Sequence, residues 1–179
     1  MAPGWILLMT LVIAQPQSPA RNTAEQPEPA PARHVRSTAT WILDLLQQGE
    51  STSTTFRQLL NALDETDVIV YIEPGVCAFG HFHACLPAVV STAGALRYLR
   101  VLIDRGRTPR PALIALIGHE LQHTLEVAEA PTVKTGDDVR GLFRRIGRPG
   151  ECPKGVPDCF ETSAGRRAGQ LILEELQRQ

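Results

Sequence analysis

The sequence predicts an α+β domain, and three observations predict it. Apolar residues recur at helical spacing over residues 37–48 and 53–63 and again over 111–128 and 160–176. A run rich in β-branched and aromatic residues, 67–73, lies between these groups. The order is therefore helices, strands, helices, without the βα alternation of a parallel α/β sheet. Composition agrees: 43% hydrophobic and 21% charged residues is ordinary for a globular chain. A length of 179 residues suits one domain with its own core better than two. The formal net charge of −1 leaves no strong field to gather nucleic acid or anionic membrane, so no nucleic-acid partner is expected.

The first element is not part of the fold. Trp5 to Ala14 (WILLMTLVIA) is a nearly unbroken apolar run, too short to span a bilayer but suited to the central region of a signal peptide. Cleavage is expected after Ala14 or near Ala20, although no Lys or Arg precedes the run. Residues 21–35 continue a proline-rich stretch begun at Pro16, and proline's missing N–H and fixed φ make it an extended linker. The expected organisation is a signal peptide over 1–20, a linker over 21–35 and one domain over 36–179, with no stable membrane span in the mature chain.

Within the domain, Trp41, Ile42, Leu45 and Leu46 predict a helix over 37–48 that Gly49 should end. Phe56, Leu59, Leu60 and Leu63 predict a second, capped by Ser53 or Thr54. Asp67 to Glu73 reads as a strand that Pro74-Gly75 terminates. Residues 86–92 are expected as another strand. Residues 95–104 fit a strand with Leu99, Val101 and Ile103 on one face, or a helix. The strongest helix runs from Pro111 to Ala128, with proline tolerated in its first turn. A short helix is expected around 137–146, and a last one from about Phe160 to Leu176.

Four cysteines fall as two local pairs, Cys77 with Cys85 and Cys152 with Cys159. In an exported chain an even count points to disulfides, and local pairing closes the shortest loops. The alternative is metal ligation, since His81 and His83 lie inside the first loop, but that spacing matches no common structural zinc site.

The chemistry concentrates in the strongest helix, which contains Gly118-His119-Glu120-Leu121-Gln122-His123, an H-E-x-x-H pattern. Positions i and i+4 share a helix face, so His119 and His123 can bind one Zn²⁺. Glu120, offset by about 100°, can reach the open side of such an ion as general base. Apolar Ile117, Leu121 and Leu125 imply a buried helix, where two unliganded histidines would be costly. Gly118 costs roughly 1 kcal/mol inside a helix, which implies a close neighbour there. A hydrolytic zinc needs a third protein ligand, and no histidine follows His123. Glu126, one turn on, better suits a partner that orients His123. Glu161 is the better ligand. Placed on the last helix, it shares a face with Gly165, Ala168 and Ile172, and Gly165 and Gly169 permit close approach to Gly118.

These residues resemble the gluzincin branch of the zincin metallopeptidases, in which a glutamate ligand lies on a helix downstream of the H-E-x-x-H helix. The run Glu161-Thr-Ser-Ala-Gly-Arg-Arg-Ala-Gly169 is similar to the closing helix of small secreted bacterial proteins of this kind. The resemblance covers mainly residues 111–177. It implies a minimal zincin-like fold, with a small mixed or antiparallel sheet packed on the motif helix and the C-terminal helix. It implies His119, His123 and Glu161 as ligands, Glu120 as general base, and a sheet edge that pairs with an extended peptide substrate. The chain departs from larger members in lacking a second lobe, and Tyr71, Tyr98, His81 and His83 are its only unassigned candidates for stabilising an oxyanion. The expected function is that of a secreted or periplasmic zinc metallopeptidase acting on a peptide or protein substrate. The alternative is a non-catalytic, zinc-stabilised envelope or binding module.

Overall fold

A computed structural model describes residue 1 and residues 32–78, 82–148 and 159–178. Contacts divide the chain into two units, 1–31 and 32–179, and the fold described here is that of the second. The expected signal peptide and most of the expected linker lie outside the described residues. Residues 33–35, placed by the sequence in the linker, belong to the fold. Arg33 pairs with Glu50 and Asp64, and Val35 is buried in a strand.

The element order is β1 (Val35–Arg36), α1 (Thr40–Thr52), α2 (Thr54–Asp64), β2 (Val68–Pro74), β3 (Ala84–Cys85), β4 (Ser91–Ala93), β5 (Leu96–Ile103), α3 (Arg110–Ala128), α4 (Gly136–Ile146) and α5 (Ser163–Gln177). The domain is α+β with a mixed sheet: β1, β2 and β5 are parallel neighbours, and β3 and β4 pair antiparallel with β5. Period-2 alternation along β2 and β5 turns Val68, Val70, Ile72, Leu99, Val101 and Ile103 into one core with Phe56, Leu63, Ile114, Ile117, Leu121 and Ile172 of the helices.

The sequence misplaces three boundaries. Helix α1 does not stop at Gly49 but runs on to Thr52. Gly49 lies within it because the Phe56 ring crosses so closely that a Cβ there would sit 2.9 Å from it. The helix ends instead at Ser53, whose extended backbone and side-chain oxygen start α2 by accepting the Phe56 N–H. Of the strand expected over 86–92 only 91–92 is strand, at the start of β4; β3 lies ahead of it, and 86–90 are outside any strand. Pro87 cannot donate to the β5 ladder, and the Val89 N–H turns back to the Pro87 carbonyl at 2.7 Å. The last helix starts at Ser163 rather than Phe160, because Thr162 caps it by accepting the Gly165 N–H at 3.0 Å.

One buried side chain anchors the motif helix. Arg97, facing the core from β5 and fully buried, donates to the carbonyls of Val127, Ala128, Ala130 and Val133. It thereby satisfies the carbonyls of Ala128 and Val133 and adds a second donor to those of Val127 and Ala130, which already accept backbone N–H groups. Its charge is balanced by Asp67, at 2.6 and 2.8 Å, just before β2. Helix α3 is thus tied at its C-terminal end to the centre of the sheet.

Candidate metal centre

Helix α3 is apolar almost all round, so it is buried, and its few polar residues cluster where α5 crosses it. The crossing is close because of glycine. A Cβ on Gly165 would lie 2.7 Å from the His123 ring, one on Gly169 3.3 Å from the His119 Cβ, and one on Gly118 2.1 Å from Ile172 Cδ1. The segment leading into α5 is thereby pressed onto the two histidines.

The result is a three-residue cluster. Potential ligand atoms of His119, His123 and Glu161 all lie within 4.8 Å of one another. The two Nε2 atoms are 3.1 Å apart, and Glu161 oxygens lie 3.5 Å from His119 Nε2 and 3.7 Å from His123 Nε2. Ligands bound tetrahedrally at about 2.0–2.1 Å stand roughly 3.3 Å from each other, so this triangle has the size that a single ion requires. Two imidazoles and a carboxylate could hold a divalent metal ion. Glu161 reaches the cluster from a position that differs from the one its sequence spacing implies. It precedes the α5 cap and is not on the helix face with Gly165 and Ala168; its own backbone carbonyl accepts from the Arg148 N–H beyond α4.

The surroundings orient these groups. His123 Nδ1 lies 2.8 Å from Glu126 Oε2, and the other Glu126 oxygen accepts the Thr162 hydroxyl at 2.7 Å. A carboxylate only accepts, so Nδ1 carries the proton and Nε2 offers its lone pair to the cluster. The Phe143 ring of α4 meets His123 edge-on at 5.3 Å, and Phe160 stacks on Phe143. Burial and the neighbouring His123 charge lower the His119 pKa to about 4, which keeps its ring neutral. Burial also opposes charge on His123, but the hydrogen bond to Glu126 and the nearby carboxylates outweigh it and raise its pKa.

Glu120, only 7% exposed, points from the same helix toward the broken sheet edge. Burial raises its pKa to about 7. His123 opposes the rise, Glu161 adds to it, and the hydrogen bond to the Leu86 backbone again opposes it. Beside His119, a groove of about 480 Å³ is lined by Ala112, Leu116, Leu173 and Arg166 among others.

No family model, curated protein or solved structure matches this chain.

The remaining candidates lie apart from the cluster. Cys77 and Cys85 form a disulfide with Cα atoms 6.0 Å apart, tying the segment after β2 to β3. Cys159 is also disulfide-bonded, and Cys152 lies outside the described residues. Bonded to each other, Cys77 and Cys85 are not metal ligands. His81 lies outside the described residues, and His83 is half-exposed, 3.8 Å from Asp104. Tyr71 and Tyr98 occupy strand positions on the sheet face turned away from the buried row of β2 and β5. Sequence reading missed Thr162 and Phe143. A Thr just ahead of a helical pattern is the ordinary cap signal and would have moved the start of α5 to Ser163. Among the described residues no helix is long and apolar enough to cross a membrane, and the disulfide is compatible with an oxidising, extracellular location.

Proposed function

We propose that this chain is an exported zinc-dependent hydrolase of gluzincin type, acting on peptide bonds. One observation carries the reading: His119, His123 and Glu161 converge at single-ion spacing while Glu120 is buried alongside them on the same helix. Two nitrogens and one carboxylate oxygen form the donor set of a zinc site that keeps a coordination position free. Zinc held there would act as a Lewis acid, lowering the pKa of bound water to about 7 and polarising a carbonyl.

The chain's own residues supply the rest. His119 presents a neutral nitrogen, and Glu126 holds Nδ1 of His123 so that its Nε2 is the atom turned to the cluster. Glu120 takes a proton from the attacking water on a carboxylate oxygen as the new C–O bond forms, then delivers it to the leaving amine nitrogen as the C–N bond breaks. Its raised proton affinity suits it to both halves of that transfer near neutral pH. The apolar groove beside His119 offers space for a substrate side chain. The N-terminal apolar run and the Cys77–Cys85 bridge support export.

Glu120→Gln is expected to keep zinc and lower peptide turnover by about 10²–10⁴-fold. A peptide-library digest with wild type and variant, alongside metal analysis of both, tests this. Equal turnover would remove Glu120 from the mechanism. A second reading, a zinc-stabilised binding module without turnover, is favoured by the burial of Glu120, which is only 7% exposed. It predicts one bound zinc and no cleavage by either protein.

A further inference from the structure

We infer that Thr162 is a positioning residue of the metal centre, a group that sets His123 and Glu161 relative to each other. The inference rests on the metal-site reading above. The two ligands come from different elements, His123 from the middle of α3 and Glu161 from the segment ahead of α5. Thr162 touches the machinery of both. Its backbone N–H donates to Glu161 Oε1 at 2.7 Å. Its hydroxyl donates to Glu126 Oε1 at 2.7 Å, and the other oxygen of Glu126 holds His123 Nδ1 at 2.8 Å.

The hydroxyl's single proton is committed. It goes to Glu126, while one of the oxygen's two lone pairs accepts the Gly165 N–H at 3.0 Å as the cap of α5. Capping therefore aims the proton at Glu126, and the link is shielded from water because Thr162 is only 3% exposed. Gly165 completes the device: the amide that Thr162 caps belongs to the residue whose missing Cβ makes room for the His123 ring. Serine would preserve the whole arrangement. Valine would keep the shape, lose the cap and leave a Glu126 oxygen without its donor. Glycine, itself a tolerated N-cap, would offer Glu126 no proton and add no charge.

The test uses the full disulfide-bonded chain with zinc alone, in competition with a chromophoric chelator, and the visible spectrum of the Co²⁺-loaded protein at saturation. Wild type and Thr162→Ser should bind one ion with affinities within a few-fold of each other and share one Co²⁺ spectrum. Thr162→Val and Thr162→Gly should bind 10–100-fold more weakly and shift the Co²⁺ bands. A capping role alone would leave the saturated spectra unchanged in both. If Thr162→Val fails to fold, Thr162→Gly gives the decision. Wild-type affinity and spectrum in Thr162→Gly would overturn the positioning role and leave the metal site standing. Absence of zinc from the wild type would overturn the metal-site reading itself.

Discussion

Glu120 and His119, neighbours on one helix, make opposite demands on pH. The carboxyl of Glu120, raised from 4.5 to about 7 by burial, keeps its proton in the folded metal-free chain at pH values where an unfolded chain has lost it. The free energy of folding therefore becomes less favourable as pH climbs from 4.5 to about 7. His119, lowered from 6.5 to about 4 chiefly by burial, acts at the other end. The unfolded chain gains a proton there as pH falls below 6.5, and stability declines until about pH 4. Glu120→Gln cancels the first effect and leaves the second. The metal-free variant should thus gain stability over wild type between pH 4.5 and 7.5, by an upper bound on the order of 3 kcal/mol. Urea unfolding of both proteins in chelator measures it, and a gap that does not widen with pH would contradict the burial assigned to Glu120.

Among elements, the seam between α3 and α5 decides whether the centre exists, and its glycines divide by what they face. Gly165→Ala drives a methyl into the His123 ring, so it should weaken zinc binding at least about tenfold, as loss of a ligand's supporting contacts does. Gly118→Ala meets Ile172 Cδ1, the end of a side chain away from the ligands. It should cost about 1–3 kcal/mol of stability and leave zinc affinity near wild type. Chelator competition and thermal unfolding on the two variants separate these outcomes; equal zinc affinities would show that the seam does not set the site. The far end of α3 depends on Arg97. Arg97→Met removes the donor to the Ala128 and Val133 carbonyls and the near partner of Asp67, and a loss of about 3–5 kcal/mol is expected in urea unfolding. A change below 1 kcal/mol would mean that water replaces the guanidinium freely.

For the whole molecule, what could be read in advance followed periodicity, and what could not depended on partners distant in sequence. The α+β class, the β5 alternation and the buried motif helix all follow from local apolar spacing. Residues 86–90 have strand-like composition, yet they lie outside any strand: Pro87 has no N–H to give, and the Val89 N–H turns back to the Pro87 carbonyl. Arg97 sits in a strand whose alternation marks it for the core, but its carbonyl partners lie beyond α3. At the site, i and i+4 spacing was enough to pair the histidines. The place of Glu161 was not legible as a helix-face position, because the Thr162 cap puts it outside the helix. These features meet in the proposed centre, where the motif helix and the segment ahead of the closing helix bring His119, His123 and Glu161 together at the spacing of a single divalent ion. Zinc titration of the intact oxidised chain tests it most directly. One ion per chain, with the affinity collapsing in His123→Ala and again in Glu161→Ala, is the predicted result. A wild-type chain that binds no zinc, or binds it equally well without either side chain, would contradict it.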